Sequence, residues 1–338
     1  MSVLTKEKKN MDYYISITNR CNLHCEYCYE KKLNTEMGML DDKTTDAVIE
    51  FVNSIPNTGT IYFFGGEPLL GKDIIKKITL QTKANSYIIT TNGTLLDEDY
   101  IKWCSEHGVK FNVSHDGADL SARGIDPEVL GEKIRILQKY QREILLQLVY
   151  TEKTLPKLPD NIRYFRNLGI TAASAVLEES TCPADTDAFG DMLLKAWREA
   201  ASVSGISILE MINKITAITD QKPHQCDICK RKMYINWDGK IYPCLQFQNR
   251  AEFQCGDVFN GIDTSRVKQN HPEYSGFPSD CDGCEIKQYC DNSCACRKMA
   301  TSGTLKAVSD AFCLEQQILT LVAIEKIEEY AHKNELQS

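Results

Sequence analysis

Short strand-like segments alternate with helix-like segments through the first half of the chain, and this alternation constrains the fold most. The strand-like segments are rich in β-branched and aromatic residues, while the others repeat apolar residues at helical spacing. The strand-like segments are 12–17, 60–64, 87–91, 109–113, 144–150 and 170–177, and the helical ones are 43–55, 74–80, 96–107, 127–140, 158–168, 185–201 and 206–219. Repeated strand–helix units of this size predict an α/β fold with a parallel sheet, open or barrel-like.

The character of the sequence changes after Gln221, where turns, tyrosines and cysteines become frequent. Ten of the 15 cysteines lie between Cys226 and Cys313. Asp-Gly between two strand-like runs predicts a β-hairpin over 233–242, and apolar residues at helical spacing predict a packing helix over 314–330. We therefore expect three regions, at residues 12–220, 221–313 and 314–338.

Composition excludes several classes of protein. The 338 residues are 25% charged and carry a net charge of −8, and no basic stripe with interleaved aromatic residues indicates a nucleic-acid partner. No apolar run of about 18 residues predicts a membrane span, and the lysine-rich N-terminus lacks the apolar core of a signal peptide. Fifteen cysteines without an export signal favour zinc or iron–sulfur ligation over disulfides, in a cytoplasmic protein.

Three of those cysteines, Cys21, Cys25 and Cys28, lie in one short run with the spacing C-x3-C-x2-C. No fourth cysteine is nearby, although a closed zinc site or an ordinary four-iron cluster uses four protein ligands. Three thiolates from one loop can hold three corners of an iron–sulfur cube and leave the fourth iron open to another ligand.

Unusual residues also follow the next three strand-like segments: Gly-Gly-Glu-Pro at 65–68, Thr-Asn-Gly-Thr at 91–94 and Ser-His-Asp-Gly at 114–117. In parallel α/β folds, sites form at the carboxyl ends of the strands. We therefore expect these segments and the cysteine run to converge on one site. Two adjacent glycines would let the backbone approach a ligand closely.

The cysteine run and the Gly-Gly-Glu-Pro segment together resemble the signature of the radical S-adenosylmethionine (SAM) enzymes. The resemblance implies a cluster whose open iron binds the amino and carboxylate groups of SAM, which one electron splits into methionine and a 5′-deoxyadenosyl radical. It also implies that SAM contacts come from the segments of Tyr27, Gly65, Gly66, Glu67, Asn92, Ser114, Asp116 and Arg123. His115 stands where the family usually has an aliphatic residue.

The second half resembles the SPASM domain, which carries two auxiliary four-iron clusters. The spacing is C-x2-C-x5-C-x3-C from Cys281 to Cys294, preceded by C-x9-G-x4-C from Cys229 to Cys244. The implied ligand sets are Cys226, Cys229, Cys244 and Cys294 for one cluster and Cys281, Cys284, Cys290 and Cys313 for the other. The implied fold is a partial (β/α)6 TIM-like barrel, then a small cysteine-rich domain and a C-terminal helix.

Two points about the cysteines stay open. First, if only one of Cys226 and Cys229 ligates, an auxiliary iron is open to substrate. Second, a zinc-ribbon-like module is the alternative interpretation of the whole cysteine-rich half. The remaining cysteines are interpreted as small apolar residues (Cys104, Cys182), a structural residue (Cys255) and a rival ligand to Cys294 (Cys296).

The resemblance implies an oxidoreductase that modifies a ribosomally made peptide by a thioether or carbon–carbon cross-link. Its partners would be a precursor peptide, a flavodoxin or ferredoxin donor, and a separate leader-binding protein unless the barrel and SPASM surfaces grip the leader. Alternatives are a sulfatase maturase that forms formylglycine, a small-molecule dehydrogenase and a non-catalytic electron carrier. Sulfatase maturases have an aspartate base where this chain has Leu245. The sequence identifies no catalytic base, and Glu178 and Glu179 follow the sixth strand as weak candidates.

Overall fold

A computed structural model describes residues 10–34, 36–221, 228, 231–263, 265–266 and 276–335. The strands are β1 (Met11–Thr18), β2 (Thr58–Gly65), β3 (Ser86–Thr91), β4 (Val109–Ser114), β5 (Leu145–Tyr150), β6 (Ala172–Leu177), β7 (Ser207–Ile208), β8 (Lys232–Ile235), β9 (Lys240–Tyr242), β10 (Gly256–Asp257) and β11 (Gly261–Ile262). The helices are α1 (Tyr29–Leu33), α2 (Asp42–Ser54), α3 (Lys72–Gln81), α4 (Glu98–Glu106), α5 (Pro127–Tyr140), α6 (Leu158–Asn167), α7 (Thr186–Ala201), α8 (Leu209–Thr219), α9 (Ala295–Ser302) and α10 (Asp310–Glu335). The six predicted strands are confirmed, and so are the helices between them.

The chain packs as two compact units, each built from separate stretches of sequence. The first comprises residues 1–114, 119–144 and 227–272, and the second comprises 115–118, 145–226 and 273–338. The boundaries predicted at 220 and 313 stay a prediction, because compact packing and the limits of a functional domain need not coincide.

In the first unit the strand order is β11-β10-β9-β8-β1-β2-β3-β4. β1 lies between β2 and β8 and pairs with both in parallel, and β2, β3 and β4 continue the parallel pairing. The predicted hairpin is confirmed as β8 and β9, which pair antiparallel. Its addition to the parallel sheet beside β1 was not predicted.

The second unit contains the parallel strands β5, β6 and β7 and the helices α6 to α10. Helix α10 packs against α7 and α8. The predicted helix 206–219 is wrong over its first residues, because Ser207 and Ile208 form β7. The amide of Ser207 donates to the carbonyl of Thr171 at 2.8 Å, so this segment satisfies its backbone by extending the sheet.

Local sequence explains why these elements form where they do. Along β1, Tyr13 and Ile15 are fully buried, and the Tyr13 ring meets Phe51 of α2 edge-on with centroids 6.3 Å apart. Helix α2 begins where the Asp41 carboxylate accepts from the amide of Thr44 at 2.7 Å, an N-cap. Helix α5 starts with Pro127, whose fixed φ suits the first turn.

The fold class is therefore confirmed as mixed α/β with a parallel-strand sheet. Among the helices in the described part of the chain, none is both long enough and apolar enough to cross a membrane.

Candidate active site

The three-cysteine loop leaves the end of β1 and is anchored by Asn19. The side-chain oxygen of Asn19 accepts from the amide of Gly38 at 2.7 Å, and its side-chain nitrogen donates to Asn34 at 2.9 Å. Cys21, Cys25 and Cys28 are all half-buried. Burial raises the pKa of the Cys21 thiol, and the nearby Cys25 and Cys28 raise it further. The sulfur of Cys21 therefore lies within electrostatic range of Cys25 and Cys28.

Gly65 and Gly66 pack directly onto the backbone that leads into this loop. The amide of Gly66 donates to the carbonyl of Thr18 at 2.8 Å. A Cβ on Gly65 would lie 1.9 Å from that carbonyl oxygen, and one on Gly66 would lie 2.4 Å from the carbonyl oxygen of Arg20. Gly65 also has a φ of +126°, which side chains other than glycine rarely adopt. The two glycines therefore fit the end of β2 against the cysteine loop.

Glu67 is fully buried and links the ends of β2 and β3. Its carboxylate accepts from the Thr91 hydroxyl at 2.7 Å and from the Asn92 amide at 2.8 Å, and also from the amide of Leu69. Burial raises the pKa of this carboxyl group, and the donors partly oppose the rise. The Glu67 carboxylate thus accepts hydrogen bonds from other residues of this chain, while the Glu67 amide donates to the carbonyl of Arg20 at 2.9 Å.

Asn92 connects the end of β3 to the cysteine loop. Its side-chain nitrogen donates to the Asn22 side-chain oxygen at 3.0 Å and lies 3.8 Å from the sulfur of Cys21. Its side-chain oxygen accepts from the amide of Thr94 at 3.0 Å, and Asn22 donates in turn to the Thr94 hydroxyl at 2.8 Å. The structure therefore brings together the predicted residues that follow β1, β2 and β3.

Arg123 and Tyr27 form a second contact on the cysteine loop. The amide of Glu26 donates to the carbonyl of Ala122 at 3.0 Å, which joins the two segments. The guanidinium carbon of Arg123 then lies 5.4 Å from the centre of the Tyr27 ring, and Arg123 is buried. Tyr27 and Arg123, two of the predicted SAM contacts, are thus neighbours.

The residues after β4 have separate surroundings. Ser114 is half-buried at the end of β4 in the first unit. Within the second unit, the Asp116 carboxylate accepts from the amide of Val149 at 3.1 Å. His115 is fully buried against Tyr164 and Phe165, so its ring occupies the aliphatic position as a packing residue. The roles of Ser114 and Asp116 toward SAM stay predictions.

Four predicted cluster ligands lie in the second unit: Cys281, Cys284, Cys290 and Cys313. Burial raises the pKa of Cys281, and Cys313 and Cys284 raise it further; the thiol of Cys290 is likewise affected by Cys313. Across the described residues, no three His, Cys, Asp or Glu side chains are close enough to hold one metal ion. A four-iron cluster holds its thiolates farther apart than one zinc ion does, and an all-thiolate donor set suits it.

The remaining predicted ligands and the cysteines outside the predicted ligand sets differ in how deeply they are buried. Cys226 and Cys229 lie outside the described residues. Cys244 and Cys294 are half-buried, each at the start of a short helical turn or helix. Cys104, Cys255 and Cys296 are buried, but Cys182 is exposed. The interpretation of Cys182 as a small packing residue is therefore wrong, because it lies in a polar loop after β6.

Sequence reasoning missed polar residues that organise the site without being cysteines or glycines themselves. Asn19 and Asn22 are such residues, and each bonds to a partner that lies far away in sequence. Asn22 lies inside the cysteine run, so its polar side chain next to Cys21 was the available signal.

Comparison with known proteins identifies a domain in the first half of the chain. Residues 15–171 match the model of the Radical SAM superfamily. The chain contains a radical SAM domain. It is accordingly an enzyme, and proteins with this domain bind SAM and a four-iron four-sulfur cluster.

Relatives that span most of this radical SAM chain have named activities. A cysteine-type anaerobic sulfatase-maturating enzyme from Clostridium novyi is 24% identical over 82% of this chain and 85% of its own length. A PqqA peptide cyclase from Granulibacter bethesdensis is 23% identical over 90% of this chain and 87% of its own. Among solved structures, native anSMEcpe with bound AdoMet and Cp18Cys peptide has a TM-score of 0.79 at 19% identity, covering 96% of this chain and 100% of that one. That last likeness shows a shared fold.

Proposed function

We propose that this radical SAM enzyme is a peptide maturase. It takes a hydrogen atom from one residue of a ribosomally made peptide and leaves an oxidative modification such as a thioether or carbon–carbon cross-link. The observation that carries the proposal is the convergence of the three-cysteine loop with the ends of β2 and β3 through Glu67 and Asn92. A peptide substrate is supported by the relative named as a peptide cyclase and by the peptide-bound neighbour.

The residues of the first unit would divide the work of binding. Cys21, Cys25 and Cys28 would hold a four-iron cluster, and with SAM bound this site supplies a 5′-deoxyadenosyl radical that accepts hydrogen. The Gly65–Gly66 backbone, held against the cysteine loop, would face the SAM ammonium. Arg123, a planar cation that matches carboxylates, would pair with the SAM carboxylate.

Two more segments would complete the contacts to SAM. Tyr27 lies beside Arg123 and would abut the adenine. Ser114 and Asp116, after β4, would serve the ribose. Asn92 would keep the loop in place, because it bonds to Asn22 and reaches Cys21.

The cysteine-rich region, residues 221–313, would act as a SPASM domain after the barrel of residues 12–220. Cys281, Cys284, Cys290 and Cys313 would hold one auxiliary four-iron cluster, and their shared electrostatic surroundings support that grouping. The second set would be Cys226, Cys229, Cys244 and Cys294. An oxidative reaction must release an electron, and such clusters supply a carrier that returns it to a flavodoxin or ferredoxin.

Formylglycine formation is the second candidate, because the Clostridium novyi relative is named as a sulfatase-maturating enzyme. Leu245 stands where the resembling maturases carry their aspartate base. It opens the short turn Leu245–Phe247 directly after Cys244, and an aliphatic side chain accepts no proton. This residue favours a cross-linking reaction that needs no base at this position.

The test is anaerobic co-expression of the enzyme with short peptides encoded beside its gene, followed by mass and fragmentation analysis. Loss of two hydrogens, localised to one bond, is the expected result. The Cys28→Ala variant is the control and should leave the peptide unmodified. An unchanged mass with deuterium gained in heavy water would replace cross-linking by epimerisation. No change in any peptide, while 5′-deoxyadenosine still forms, would overturn a neighbouring-peptide substrate.

A further inference from the structure

A lysine lies buried inside the second unit, beside the cysteine-rich segment. Lys214 belongs to α8, and only 2% of its side chain is exposed. Its ammonium donates to the carbonyl of Tyr289 at 2.5 Å and to the side-chain oxygen of Gln316 at 2.7 Å, and it lies 3.4 Å from a carboxylate oxygen of Asp291. All the donors of this cation are therefore directed at two segments that carry predicted cluster ligands.

The position of Lys214 on its helix makes the charge unusual. Met211 and Ala217, one turn away on either side, are buried on the same face of α8. An apolar residue would suit such a face, because burying an ammonium is costly unless it is paired and hydrogen-bonded. A group retained at that cost, and directed at one turn of the chain, points to a role beyond filling space.

The ammonium holds the turn that contains Cys290. Gln316, which accepts from Lys214, also accepts from the amide of Asp291 at 3.0 Å. The sulfur of Cys290 accepts in turn from the amide of Asn292 at 3.4 Å. Lys214, Gln316 and the turn around Cys290 are thus joined by hydrogen bonds, and this network positions the sulfur.

The ammonium also lies beside Cys290 along the chain, because its acceptor Tyr289 directly precedes that cysteine and Asp291 directly follows it. Its counter-charge, Asp291, is 28% exposed, so solvent screens the carboxylate more than the ammonium. A second cation in this segment, Arg297, lies 3.7 Å from the buried carboxylate of Glu315.

We propose that Lys214 is a positioning residue of the auxiliary site, where its buried ammonium holds the turn of Cys290 and raises the reduction potential of the cluster bound there. This inference rests on the proposed function, which supplies that cluster. Adding an electron makes a cluster more negative, and a nearby cation in a medium of low dielectric constant favours the reduced form. Net charge and hydrogen bonding around the sulfurs are established determinants of such potentials.

The experiment is a dithionite titration of the reconstituted full-length enzyme, followed by electron paramagnetic resonance. The auxiliary signal is first assigned as the one that Cys281→Ser removes together with part of the iron. Lys214→Met should then lower its midpoint potential by the equivalent of a tenfold change in the oxidised-to-reduced ratio, about 59 mV for one electron. Asp291→Asn, which removes the counter-charge, should raise the potential.

Lys287→Met provides the matched control. Lys287 also lies near two ligands of this cluster: its amide donates to the carbonyl of Cys284 at 3.1 Å, and its ammonium donates at 2.7 Å to the carboxylate of Asp282, the residue after Cys281. Its side chain is 37% exposed, so the same loss of charge should shift the potential far less.

The outcomes separate the two proposals. A Lys214→Met potential equal to the wild-type value, or an equal shift in Lys287→Met, overturns the role of Lys214 and leaves the peptide maturase intact. If Cys281→Ser keeps all its iron and the full signal, the auxiliary cluster is absent. The proposed cluster of this segment and the proposed role of Lys214 are then both overturned. If Lys214→Met does not retain iron, Asp291→Asn decides: a raised potential supports the inference and an unchanged one overturns it.

Discussion

The loop of Cys21, Cys25 and Cys28 and the segment around Cys290 are held by different kinds of group. Backbone amides and the side-chain amides of Asn19 and Asn92 hold the first, with one buried carboxylate, Glu67. The second is held within its own unit by a buried ammonium and its carboxylate partner. Neutral groups fix geometry with little effect on charge, whereas charged groups fix geometry and electrostatic potential together. The difference suits the two proposed roles, which are SAM binding at the first site and electron exchange at the second.

Removing one thiolate from the first loop should have the largest effect. Cys28→Ala leaves two thiolates of the three proposed to hold the cluster, so 5′-deoxyadenosine production should fall below detection and iron content should drop. Chromatographic detection of 5′-deoxyadenosine with SAM and dithionite checks this. Cys182→Ser, a change at an exposed cysteine, is the control and should retain full production. Full activity in Cys28→Ala would refute the site.

Overfilling the packing between β2 and the loop should come next. Gly66→Ala places a methyl group 2.4 Å from the carbonyl oxygen of Arg20, and overpacking of this kind costs about 1–3 kcal/mol. Urea unfolding and SAM binding should both weaken. Gly131→Ala is the matched control, because its Cβ meets nothing within 4 Å inside α5, and it should gain about 0.5–1 kcal/mol. Equal behaviour of the two variants would contradict the close packing.

A smaller effect should appear in the pH dependence of the free energy of unfolding. Glu210 is half-buried in the second unit, where its carboxylate accepts from the Ser174 hydroxyl at 2.6 Å and the Ala175 amide at 2.8 Å. Burial raises its pKa above the usual value, so the folded protein holds a proton that the unfolded chain has released. The free energy of unfolding should therefore fall as pH rises from about 4.3 through the folded pKa.

Glu210→Gln removes that proton equilibrium, so its free energy of unfolding should depend less steeply on pH over the same range. Urea unfolding of the wild type and the variant between pH 4.5 and 7 measures the difference. Parallel slopes for the two proteins would show that Glu210 does not carry the effect.

The smallest expected effect concerns two cysteines outside both sites. Burial raises the pKa of Cys104 to about 12, so its thiol should resist iodoacetamide at pH 8, where the thiolate is the reactive form. The exposed Cys182 should be modified quickly. Peptide mass analysis after timed labelling compares the two. Labelling of Cys104 in the folded protein would contradict its burial.

Much of the first region follows from sequence because its signals are local. Strand period, glycine pairs and cysteine spacing identify β1, β2 and β3 and the residues that follow them. The partners of Asn19 and Glu67 were not predictable, since they depend on which strands become neighbours. Lys214 shows the same limit more strongly: its acceptor Gln316 is 102 residues away, and nothing in its local sequence distinguishes it from a solvent-exposed lysine.

The pairing of β8 with β1 affects how the enzyme is made in the cell. Asp12 pairs with Lys232, so one edge of β1 has no partner strand until residues about 220 positions later have been synthesised. At the usual 5–20 residues per second, that interval lasts on the order of ten seconds or more. Until then, β1 presents an unpaired edge of the kind that recruits other strands. Expression at low temperature with chaperones should therefore improve the yield of soluble enzyme, and a version that ends before β8 should aggregate.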